Sequence, residues 1–125
     1  RSRMPNINAA LGCAQLENLD RYVADKRETA ACYAEFFKGK EDITFFTEPA
    51  DCKSNYWLNA VVLKDKAAQL DFLEYTNDHG VMTRPVWELM NRLPMFEHCE
   101  TDGLENTEWL ADRVVNIPSS VRLDK

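Results

Sequence analysis

Apolar positions recur along this chain with two different periods, and the changes of period mark its elements. Ile7, Ala10, Leu11 and Ala14 keep helical spacing after Met4-Pro5-Asn6, and Asn6 is placed to cap that helix with its side-chain oxygen. The segment is rich in small residues, Ala9, Ala10, Gly12 and Ala14. These suit either tight internal packing or the close approach of another chain or domain. Asn18 to Asp20 forms a joint. Leu19, Tyr22, Val23, Ala30, Tyr33, Ala34 and Phe37 then predict a longer amphipathic helix that ends at Gly39. Asp25, Lys26, Arg27 and Glu28 fall on its polar face and are expected to be solvated.

The pattern then shortens. Ile43 to Phe46 is a brief β-prone run, broken by Glu48-Pro49-Ala50-Asp51. Asn55 to Leu63 is the best strand candidate, rich in β-formers and free of Gly and Pro. Lys64-Asp65-Lys66 turns the chain into a third helix, Ala67 to Asp78, expected to bury Ala67, Leu70, Phe72, Leu73 and Tyr75 and to stop at Gly80. Val81 to Thr83 reads as a strand closed by Pro85. Trp87 to Leu93 reads as a short helix broken by Pro94, and Leu104 to Val114 as a last helix. Asn116-Ile117-Pro118-Ser119-Ser120 is the exit. This order predicts an α+β layer: a short mixed or antiparallel sheet with helices on one face.

Composition narrows the function classes. A chain of 125 residues fits one domain, and 45% hydrophobic with 29% charged residues is globular rather than disordered. A net charge of −6 argues against nucleic acid as a partner, since phosphate binding needs a concentrated basic surface. No apolar run approaches the about 18 residues of a membrane span. Cys13, Cys32, Cys52 and Cys99 show no CxxC spacing and only two histidines are available, which argues against a zinc site. Reduced thiols in a cytoplasmic protein are expected. Residue 1 is Arg and no signal peptide follows, so the chain is expected to be a piece of something longer.

Nucleophile patterns are weak. His98 and Cys99 are sequence neighbours, which points their side chains apart, and Ser119-Ser120 lacks the glycines of a nucleophile elbow. His79 sits where it meets a helix dipole. The stretch that looks like the wall of a site is Thr83-Arg84-Pro85-Val86-Trp87. Arg84 ends an apolar strand and is suited to grip phosphate or carboxylate oxygens, and Trp87 could pack on a base or sugar face. A salt-bridged arginine and a core tryptophan would account for the same residue types. Residue types alone therefore lead to a small α+β domain and to no named reaction.

The run from Arg3 to Glu17, RMPNINAALGCAQLE, resembles a hallmark of the DegT/DnrJ/StrS aminotransferases, fold-type I pyridoxal-phosphate enzymes that act on nucleotide-linked keto-sugars. In that family the run marks the crossing from the large to the small domain. Asn55-Tyr56-Trp57-Leu58-Asn59 resembles the small-domain strand. Thr83 to Trp87 with Leu93-Pro94-Met95-Phe96 resembles the branch making 4-amino sugars of the bacillosamine and legionaminic acid type, and Leu110 to Val121 the closing helix and exit. The resemblance implies residues 1–18 as an interdomain and dimer-face helix and residues 19–125 as the small C-terminal domain, with the large cofactor-binding domain absent. It implies amino transfer from an amino acid, glutamate above all, to a 4-keto sugar nucleotide in a homodimer. Arg3 is implied at the substrate or the cofactor phosphate across the dimer, and Arg84, Trp87 and Tyr56 at the substrate. The family's Schiff-base lysine lies upstream of the first run, and no lysine here sits in its motif. No catalytic residue and no specifically bound cofactor are therefore expected of this chain alone. Arg1 departs from the family, which usually carries Asn there. The rival expectation is a non-catalytic binding or interaction module built from the small domain.

Overall fold

A computed structural model describes residues 3–122. Arg1, the departure noted above, lies outside the described residues. Helix α1 spans Asn6–Glu17 and helix α2 spans Leu19–Phe37, joined at Asn18. Strands β1 (Ile43–Phe45) and β2 (Asn59–Leu63) precede helix α3 (Lys66–Asp78). A two-residue strand β3 (Arg84–Pro85), a single 3-10 turn at Met90–Arg92, helix α4 (Glu105–Ala111) and strand β4 (Val114–Ile117) follow. The four strands pair in the order β1-β2-β4-β3, every pair antiparallel. Val61 faces Val115 across the central pair and Arg84 faces Asn116 at the far side.

The sheet buries one face. Phe45, Val61, Leu63, Val115 and Ile117 point into a core closed by Ala30, with Tyr33, Ala34 and Phe37 of α2 and Ala68, Phe72 and Leu73 of α3 packed around it. Both helices thus cover the same face, as the α+β reading requires. The alternating burial along β2 and β4 is the two-residue period of a sheet with one covered side.

Several expected boundaries move, each for a local reason. Asn6 does not cap α1; it lies within the first turn, and the helix opens on the carbonyl of Pro5, which accepts from Ala9 N at 3.0 Å. Asn55 to Leu58 do not continue β2. The side chains of Ser54 and Asn55 accept from the backbone N–H of Tyr56 and Trp57, and such local bonds turn the chain before a ladder can start. Val81 to Thr83 stay outside the sheet because the Thr83 hydroxyl is held by Thr76 at 2.6 Å and by the Asn77 amide at 3.0 Å. Pairing begins only at Arg84. Trp87 to Leu93 is no helix beyond the 3-10 turn, with Leu89 extended and Pro94 following. The last helix ends at Ala111, and Val114 to Ile117, read as helix end and exit, are the strand at the sheet's centre.

Helix α3 turns Phe72 and Leu73 inward as expected, but the rest of its inward side differs. Asp65 caps it by accepting from Ala68 N at 2.8 Å. Ala67, Leu70 and Tyr75, expected inside, are exposed, while Gln69 is fully buried. Its amide nitrogen donates to the carbonyls of Ala111 at 3.0 Å and Val114 at 2.9 Å, and its oxygen accepts from Lys66 Nζ. One side chain so ties α3 to the hinge between α4 and β4.

Replacing Gln69 by Leu keeps the volume and removes the donor. Two inward carbonyls lose their partner, so the variant should unfold about 2–4 kcal/mol more easily in a urea titration. A change within experimental scatter of zero would show that the two carbonyls find water instead.

Candidate functional site

Beside the end of β4 lies a groove of about 610 Å³ that brings together Trp57, Met82, Arg84, Trp87, Asn116 and Ser119. Arg84 opens β3 opposite Asn116, between the buried Thr83 and the paired Pro85, so its backbone is fixed on both sides. Its guanidinium contacts Met82 Sδ at 3.6 Å and makes no ion pair among the described residues. Trp87 is 74% exposed and Trp57 64%, and their rings lie 6.4 Å apart at an interplanar angle of 32°. Among the described residues Arg84 is in no ion pair, and Trp87 is not in the core. Two open indole faces beside a cation form a surface suited to a flat ring that carries negative charge.

The other sequence-derived candidates lie apart from this groove. Arg3 is exposed just before α1 and is not among the groove residues. Tyr56 is half-buried in the neighbouring loop. Its hydroxyl accepts from Glu48 N at 3.1 Å, its ring stacks on Phe45 at 6.4 Å, and the Arg27 guanidinium lies over the ring at 5.6 Å. Tyr56 has φ of 47°, in the left-handed region that bulky residues avoid at a cost of about 1–3 kcal/mol. The contacts on its ring and hydroxyl hold it there, and Trp57 follows directly.

Residues read as a solvated helix face turn out to organise the site. Arg27 donates to both Glu48 oxygens, at 3.0 and 2.7 Å, and to the carbonyl of Ser54. Glu48 also accepts from Ser54 N. The Arg27 bonds, then the Ser54 backbone bond, hold the Glu48 carboxyl down at about 2. Lys26 Nζ donates to the carbonyl of Ser119 at 2.6 Å and to that of Trp57 at 3.3 Å. Asp25 is buried and accepts from the backbone and side chain of Arg122. Charge clustered on a helix face carries no local sign of such distant partners. The signal available was that Glu48 and Ser54 flank a proline-containing loop.

Among the described residues no three His, Cys, Asp or Glu side chains come close enough to hold a metal ion. No helix there is long and apolar enough to cross a membrane.

Residues 1–125 match the profile described as the DegT/DnrJ/EryC1/StrS aminotransferase family. EpsN of Bacillus subtilis (strain 168), which carries the name of a pyridoxal phosphate-dependent aminotransferase, is 30% identical over 94% of this chain and 31% of its own. GDP-perosamine synthase of Escherichia coli O157:H7 is 29% identical over 94% of this chain and 31% of its own. The chain thus spans about a third of the length of these relatives. PseC of Helicobacter pylori, an aminotransferase involved in the biosynthesis of pseudoaminic acid, superposes with a TM-score of 0.87 at 20% identity, covering 98% of this chain and 34% of that one. At that identity the likeness is one of fold.

The Arg27–Glu48 pair makes a prediction about acid. A carboxyl whose folded value is depressed contributes stability above its unfolded value, and the contribution is lost as pH falls through the folded one. The window here runs from about 4.5 down to about 2. Glu48→Gln should therefore melt below the wild type at neutral pH, and the gap should narrow below pH about 4.5 and close near pH 2. A gap independent of pH across that window would mean that the pair contributes through shape and not through charge.

Proposed function

The chain belongs to the DegT/DnrJ/EryC1/StrS aminotransferase family, and from that membership we propose that it works as the small C-terminal domain of a longer sugar-nucleotide aminotransferase. The observation that carries the reading is the groove: Arg84, without an acidic partner among the described residues, beside the open Trp57 and Trp87 faces. The substrate is a nucleotide-linked 4-keto sugar. Arg84 takes phosphate oxygens through its guanidinium fork, and the indoles cover a flat ring. The amino donor is an amino acid such as glutamate, and the setting is cytoplasmic. Tyr56, set apart from the groove, serves the substrate by holding the turn that presents Trp57.

Pyridoxal phosphate supplies the amino-carrying chemistry in proteins of this kind. The described lysines do not fit its covalent anchor. Lys26, which lines the groove, is spent on the carbonyls of Ser119 and Trp57. Lys66 is held by Gln69 and Asp112, Lys38 pairs with Glu35, and Lys40 lies over Phe36. Lys53 and Lys64 lie outside the groove. No covalent step is assigned to this chain. Its residues bind and orient, with Arg3 reaching the cofactor phosphate across a homodimer.

Helix α1 supports the longer protein. Its residues are exposed or half-exposed, and Ile7, Leu11 and Leu16 stand open to solvent. We assign this helix to the junction with the large domain of the parent enzyme and with its dimer partner, residues 1–18 being the interdomain element.

Two outcomes are expected. In the full-length enzyme Arg84→Ala should weaken sugar-nucleotide binding by about ten- to a hundredfold, the loss of a charge-assisted pair, and leave the amino-donor half reaction nearly unchanged. Equal damage to both half reactions, or unchanged affinity, returns Arg84 to a structural role. The 125-residue chain on its own should self-associate through the open α1 face as concentration rises in sedimentation. Leu11→Glu should disperse it. A monomer at high concentration, or association indifferent to Leu11→Glu, would count against the junction.

A further inference from the structure

We propose that Arg27 and Glu48 are positioning residues: their ion pair locks loop 48–58 so that Trp57 stands against Trp87 before any ligand arrives. The ligand's identity, a nucleoside diphosphate moiety, rests on the reading above. The geometry of the indole pair does not.

Loop 48–58 has no place in the sheet, since β2 begins only at Asn59. Nothing in a strand ladder sets the direction of Trp57. Two neighbouring residues of α2 do so instead. Arg27 closes a ring with Glu48 and Ser54, because it donates to the Glu48 carboxylate and to the Ser54 carbonyl while Ser54 N donates back to Glu48. The ring brings both ends of the loop's first half to one point. From it Ser54 Oγ accepts from Tyr56 N at 3.0 Å, and Tyr56 closes back through its hydroxyl onto Glu48 N. The left-handed Tyr56 is thereby fixed at its backbone N–H and at its hydroxyl, and the residue after it is Trp57.

Lys26 secures the other end. It joins the Trp57 carbonyl to that of Ser119, and Ser119 Oγ accepts from Asn59 N at 2.8 Å and donates to the Ile117 carbonyl at 2.7 Å. The loop is bounded by α2 on one side and by the end of β4 on the other. Trp87 comes from a different segment, carried past β3. The two indoles meet although no contact within either segment requires it. A binding surface whose parts are set in advance loses less conformational freedom on binding, which raises affinity without a new contact to the ligand.

The test uses circular dichroism of this chain together with nucleotide titration. A close, tilted indole pair gives an exciton couplet, and its loss in both Trp57→Phe and Trp87→Phe identifies it, Trp109 not being among the groove residues. Glu48→Gln should cut the couplet at least about twofold and lower the affinity for guanosine or thymidine diphosphate about tenfold, with the helical signal retained. Arg27→Lys keeps the charge and loses the fork, and should fall between. An undiminished couplet in both variants overturns the inference. So does loss of the couplet together with the helical signal, which would make the pair a support of the fold. If the couplet responds while neither nucleotide binds the wild-type chain, the positioning stands and the ligand assignment fails. If the nucleotides bind and the couplet does not respond, the reverse holds.

Discussion

The structure depends on one strand arriving late. Val114 to Ile117 is last among the described strands in sequence and central in the sheet, paired to β2 on one side and β3 on the other. β2 and β3 do not touch each other in the ladder, so without β4 there is a hairpin and a loose dipeptide. Val115 is fully buried because it has a strand on each side and helices above. The same insertion builds the groove. Residues near 57, near 84 and near 118 become neighbours only through pairing with this strand or lying at its end.

Helix α2 has the complementary task. Its apolar side closes the core through Ala30, Tyr33 and Phe37, and its polar side holds three irregular segments in place. Asp25 takes the C-terminal stretch at Arg122, Lys26 the exit at Ser119, and Arg27 the loop at Glu48. A regular element surrounded by loops stabilises them most where its charges are partly shielded from water and bonded in a fork, since fully exposed pairs contribute little.

Much of this was legible in the sequence, and the pattern of what was not is physical. Periodicity located α2 and α3 because long amphipathic segments repeat their signal over several turns. It placed Phe72 and Leu73 of α3 on the core side and missed Gln69, which is buried by satisfying two carbonyls and not by being apolar. β4 was hidden: Leu110 and Val114 keep the four-residue spacing of a helix, and the strand pairing that overrides it comes from residues about 30 and 55 positions away. Arg84 and Trp87 stood out by residue type. Trp57, which faces Trp87, did not, because its turn rests on side-chain bonds from Ser54 and Asn55 that no hydrophobic pattern records. The family was legible through a contiguous run, which needs no folding to be read.

The strand order has a bearing on solubility. A sheet's outermost strands offer unpaired backbone groups to any passing chain, and proteins that stay dispersed keep those margins short or chemically blunt. One margin here, β1, is three residues long and follows directly on Lys40-Glu41-Asp42. The other, β3, is two residues long, and Pro85 has no N–H to donate. Neither margin can template a growing ladder. The protein is therefore poorly disposed to amyloid-like stacking even though Val, Ile and Phe dominate its interior.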